Sequence, residues 1–93
     1  MITGKTESGF AFEIEDEALD DYELLEALIL VDAGQTAKIF DVVNLLFGEA
    51  QQKALRDHVR TPSGRVSAKR MAAETMEVFK ACNQAKNSLS SPE

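Results

Sequence analysis

The chain has 93 residues, 44% of them hydrophobic, and a net charge of −6, which describes one small acidic domain with a real core and no room for a second. An excess of carboxylates argues against nucleic acid, whose phosphate backbone is bound by surplus Lys and Arg. A single cysteine, Cys82, excludes an internal disulfide, and the longest apolar run, Ala27 to Val31, falls far short of the ~20 residues of a membrane span.

The charge is unevenly placed. Ten acids stand against one base up to Gly34, and nine bases against six acids from Gln35 onward. Such a molecule is electrically two-ended, and ends of this kind steer contact between copies or partners. No charged-then-apolar leader opens the chain, and the expected compartment is the cytosol.

Taken in chain order, the first element is a β-hairpin over about residues 1–15. Phe10, Phe12 and Ile14 alternate with Ala11, Glu13 and Glu15, which puts the large apolar groups on one strand face. Ile2 to Thr6 pairs with that strand across Glu7-Ser8-Gly9, Gly9 supplying a positive φ. A helix follows from Asp20, read as N-cap, with Glu23 in capping-box position, Leu19 and Leu24 as staple and Gly34 as stop. Its core face is Leu24, Leu25, Leu28 and Val31. A second helix runs from Thr36 to Gly48 on Ile39, Val42, Val43, Leu46 and Phe47, with Phe40 at the edge of that face. A weaker third, from about Glu49 to Val59, is anchored by Leu55 and Val59, before a Thr61-Pro62-Ser63-Gly64 turn. Ser67 caps the last helix, whose stripe is Met71, Thr75, Val78, Phe79 and Cys82. The expected fold is mainly α (α+β), an N-terminal hairpin followed by a bundle of about four helices. The domain spans residues 1–86, and residues 87–93 form a polar, disordered tail.

The residues for chemistry are missing. His58 is the only histidine and is read as a surface group near Arg56 and Arg60; Cys82 lies on an apolar stripe and is read as a buried thiol. Two such side chains cannot make a four-ligand zinc site, so no metal or other cofactor is expected. The acids Glu13, Glu15, Asp16, Glu17, Asp20 and Asp21 lack the spacing of a calcium loop and suit a helix start instead. No nucleophile, base and orienting group occur together, and the protein is expected not to be an enzyme.

The apolar pattern holds a surplus. Leu30 projects among Glu23 and Glu26, away from the first helix's core face, and Leu45 falls between Lys38 and Asp41 on the second. Two such leucines on adjacent helices raise an interface. The partner-binding set is therefore Leu30 and Leu45, with Glu23 and Glu26 on the acidic side and Arg65, Lys69 and Arg70 on the basic side. Acidic and basic ends of successive copies would meet head to tail.

Several stretches together resemble the tail assembly chaperones of tailed phages and prophages of Gram-positive bacteria. They are Ile2-Thr3-Gly4-Lys5-Thr6-Glu7-Ser8-Gly9-Phe10, Asp20-Asp21-Tyr22-Glu23-Leu24-Leu25-Glu26-Ala27-Leu28, Leu46-Phe47-Gly48-Glu49, Gly64-Arg65-Val66 and Ala85-Lys86-Asn87-Ser88. The resemblance covers nearly the whole chain and implies the short product of a frameshift pair encoded before the tape measure protein. It implies a partner, the tape measure protein, kept soluble while tail-tube subunits polymerise around it, and association with a frameshifted longer form. It also implies residence in the host cytoplasm and absence from the finished virion. Ala85-Lys86-Asn87 can be encoded by an A-AAA-AAC slip site, and a gene whose codons break that heptamer would remove it. A second reading, drawn from the acidic first third, is a small regulator or inhibitor that blocks a basic protein surface.

Overall fold

A computed structural model describes the backbone of residues 1–90 and the side chains of residues 1–84. Strands β1 (Ile2–Lys5) and β2 (Ala11–Ile14) form an antiparallel hairpin with Ile2 opposite Ile14 and Gly4 opposite Phe12. Gly9 makes the turn at φ +98°, a conformation closed to most side chains. Five helices follow: α1 (Asp16–Leu19), α2 (Tyr22–Asp32), α3 (Ile39–Leu46), α4 (Glu49–His58) and α5 (Ala68–Ser90), with a 3-10 turn at Thr36–Lys38 leading into α3. The mainly helical fold with an N-terminal hairpin is the one the patterning predicts.

The buried core draws on the hairpin's second half and on α2, α3, α4 and α5, with Ile2 of β1 and Ala18 and Leu19 of α1 packed against it. Phe10, Phe12 and Ile14 from the hairpin region meet Leu24, Ala27 and Leu28 of α2, Val42, Val43 and Leu46 of α3, Leu55 of α4, and Val78 and Cys82 of α5. Alternation explains the hairpin's share, since Phe12 and Ile14 are buried while Ala11 and Glu13 are exposed. α2 packs chiefly on α3, and β1 lies against α5, so the first and last elements of the fold touch.

Local chemistry moves three boundaries. The cap of α2 is Asp21 rather than Asp20: its carboxylate accepts from the amides of Glu23 (2.8 Å) and Leu24 (3.3 Å). Asp20 is already used, because the extra turn α1 ends on it, its N–H donating to the Glu17 carbonyl. The second long helix stops at Leu46, not Gly48. Phe47 swings into an extended conformation (φ −106°, ψ 147°) that drives its ring into the core, edge-on to Phe10 at 6.3 Å. Gly48 then serves as the N-cap position of α4. Ser67 does cap α5, accepting from the Arg70 amide at 3.2 Å. That helix carries through Ser90, past residue 87 where the sequence reading begins its tail; residues 91–93 lie outside the described residues.

Burial sorts the apolar residues of α2 differently from their sequence pattern. Leu24, Ala27 and Leu28 are buried, but Leu25 is 45% exposed. One residue is 100° around a helix, so Leu25 cannot share a core centre with Leu24 and Leu28 when Ala27 already faces it.

Candidate functional site

Leu30 and Leu45, picked out singly as outward leucines, lie in one groove. It forms where α2 crosses α3 and is lined by Glu23, Glu26, Ala27 and Leu30 from one side and Lys38, Asp41, Asn44 and Leu45 from the other. Its volume is about 300 Å³. Both leucines are half-buried, and Leu45 also packs against the core, so neither stands clear of the molecule. Lys38 and Asp41 bridge at 3.6 Å on the α3 wall, while Glu23 and Glu26 have no ion-pair partner among the described residues. The groove thus sets Ala27, Leu30 and Leu45 among five polar or charged side chains, with surplus negative charge along its α2 side.

Arg65, Lys69 and Arg70 do not reach it. They are exposed on the segment that enters α5, beside the turn in which the Gly64 amide donates to the Thr61 carbonyl at 2.8 Å. A small bridge between Arg60 and Val66 holds that turn closed. The acidic and basic halves of the proposed set therefore occupy separate surfaces of one molecule, as a head-to-tail contact requires.

The structure adds residues that the sequence reading left out. Tyr22 and Ile29 are 77% and 67% exposed, and with Leu25 they form a ridge along α2 at spacings of three and four. Phe40 is 71% exposed and walls a second, more apolar groove of about 370 Å³. The available signal was that α2 is hydrophobic almost all round its circumference, which marks a helix covered from more than one side.

His58 is not a free surface group. Its Nε2 lies 2.9 Å from Ser8 Oγ, and its ring leans on Phe10 at 5.5 Å. Ser8 donates to Glu74 Oε2 (2.9 Å), and Thr6 donates to Glu74 Oε1 (2.8 Å). With its one proton committed to Glu74, Ser8 accepts from the imidazole N–H, the reverse of what a nucleophile–base pair needs. The Glu7 amide donates to Glu77 at 2.7 Å. Together these bonds fasten the hairpin turn onto α4 and α5.

Among the described residues, no group of three or more His, Cys, Asp or Glu side chains is placed to hold a metal ion. No helix there is long and apolar enough to cross a membrane.

The chain matches no protein-family model, no curated protein and no solved structure.

Cys82 is fully buried, and burial pushes its thiol from 9.0 up to about 11. The unfolded thiol ionises near 9 and the folded one near 11, so the folded form holds the proton longer. This contribution to stability is fully present below pH 9 and is lost as pH rises from 9 to 11. Urea midpoints across that window should fall less steeply for Cys82→Ala than for the wild type. Iodoacetamide should label Cys82 slowly in buffer and fast in urea.

Proposed function

We propose that the protein is a binding module without catalysis, a small assembly chaperone that holds an apolar, helical stretch of a client until the client is used. The observation that carries this reading is the convergence of Leu30 and Leu45 in one groove. Leu30 and Leu45 offer apolar contacts inside a charged and polar lining, the mixed surface of a contact made with a partner rather than of a permanent core. The surplus of Glu23 and Glu26 along one wall favours a client helix with Lys or Arg beside its apolar stripe. The resemblance to phage tail assembly chaperones supplies the client's identity within this proposal, a tape measure protein in the host cytoplasm.

Co-expression with the long, helix-rich product of the neighbouring downstream gene tests it. The client should move to the soluble fraction and co-elute with the chaperone. Leu30→Asp should abolish that effect while leaving the circular dichroism spectrum and the urea midpoint close to wild type. An unchanged soluble yield would sink the proposal.

A second reading is favoured by the depression beside the groove, which Glu13, Glu15, Glu17 and Glu49 line. It would block a basic protein surface and would show as binding that survives Leu30→Asp and fails at raised salt.

A further inference from the structure

We infer that the groove walled by Phe40 is a binding site for a small amphiphile, a single acyl chain ending in a carboxylate. The site goes beyond the holding role proposed above. It shares only Asn44 with the Leu30–Leu45 groove, and its occupation does not depend on what that groove holds.

The groove forms where α3, α4 and the start of α5 come together, and it measures about 370 Å³. Ile39, Phe40 and Val43 line it together with Val66 and Met71. Ile39, Val66 and Met71 are half-buried and pack against the core, so the same contacts that hold the fold fix their positions. Phe40 is 71% exposed and is the side chain that an occupant would cover. Small-molecule sites have this composition: mostly apolar walls, with a few polar groups that set the ligand's orientation.

Those polar groups are Asn44, Gln52 and Arg56. Gln52 and Arg56 are four residues apart on α4 and so share one face of it, and Asn44 joins them from α3. No carboxylate lines the groove, so its one charge is positive in a chain whose net charge is −6. The ion pairs among the described residues are Met1 with Asp16, Lys38 with Asp41 and Arg60 with Asp57. Arg56 is in none of them. Arg65 and Lys69, both exposed, adjoin the lining residues Val66 and Ala68 in the chain and add to the positive field.

Charge and size together select the occupant. A guanidinium presents a planar fork of N–H donors that matches a carboxylate, and the two amides can hydrogen-bond the same head. The apolar walls then take the chain. A helix with its side chains is about 10–12 Å across, so a groove this small admits a few of its side chains but not the helix. An acyl chain is slim enough to lie in the groove itself.

The test titrates the full chain with decanoate near neutral pH, below the concentration at which it forms micelles, and follows the backbone amides by NMR. Saturable shifts should gather at Val43, Asn44, Arg56 and Met71. Arg56→Gln should weaken decanoate about fivefold to tenfold and leave the binding of uncharged decanol unchanged. Phe40→Ala should weaken both ligands. Both variants change exposed positions and should keep the wild-type circular dichroism spectrum. Decanoate binding that ignores both substitutions would be general adsorption and would overturn the inference. So would shifts at these amides that follow protein concentration without decanoate, which would give the groove to a second copy. An acidic helical peptide that moves the same amides where decanoate does not would give it to a protein partner, and the inference would again fail.

Discussion

Replacing Glu74 with alanine is expected to lower the free energy of unfolding by about 2–4 kcal/mol, a large share of what so small a domain possesses. Glu74 is 8% exposed, yet it is a carboxylate on a helix whose other buried side chains are the uncharged Thr75, Val78 and Cys82 among the described residues. It is tolerated because both oxygens are used, one by Thr6 and one by Ser8. Without it, two hydroxyls under the hairpin turn lose their acceptor, and His58 loses the serine orientation it relies on. Glu74→Gln keeps one carbonyl acceptor and should cost less. The specific signature is non-additivity: Thr6→Val combined with Glu74→Ala should be less damaging than the two single losses summed. Urea midpoints for the four proteins of that cycle provide the check. Additive values would mean that the bonds contribute nothing jointly. Hydrogen exchange should quicken first at Thr6, Gly9 and Phe10, whose amides lie in the fastened turn.

Phe12→Ala should be the most damaging single truncation in the hairpin, at about 3–5 kcal/mol. The ring is 3% exposed and passes directly across Gly4 of the paired strand. A Cβ placed on Gly4 would lie 2.7 Å from the Phe12 Cζ, so the glycine exists to let the ring through. Alanine at position 12 would leave a void that β1, flanked by Gly4, has no side chain to fill. The protein should then lose its cooperative urea transition or shift it far to lower denaturant. A midpoint within 1 M of wild type would contradict the packing described here.

The features legible in the sequence are those set by neighbouring residues. Alternation at Phe10, Phe12 and Ile14, the positive φ at Gly9, the cap at Ser67 and the buried stripe through Thr75, Val78 and Cys82 all depend on spacings of two to four. The cap at Asp21 slipped by one residue because Asp20 and Asp21 are chemically equal until α1 claims the first. The fastening of Thr6 by Glu74 could not be read at all. It joins residues 68 apart, and no periodicity links a threonine in a turn to a glutamate on a distant helix. For the candidate site, the prominence of Leu30 and Leu45 was visible but their convergence was not, since it depends on where α2 crosses α3. Inner and outer stripes run one residue apart on α2, so spacing alone places Leu25 in the core and only packing turns it outward.

The side chain of Gln51 has a consequence beyond its own two bonds. Its amide oxygen accepts from the Glu13 N–H at 2.7 Å, and its amide nitrogen donates to the Glu13 carbonyl. A side-chain amide is a peptide group in miniature, so α4 lends the hairpin a third strand one residue long. Strand edges invite other chains to extend the sheet, which is the route to cross-β aggregates. At Glu13 that invitation is already answered from within. At that residue β2 is thereby closed to the pairing an open strand would offer.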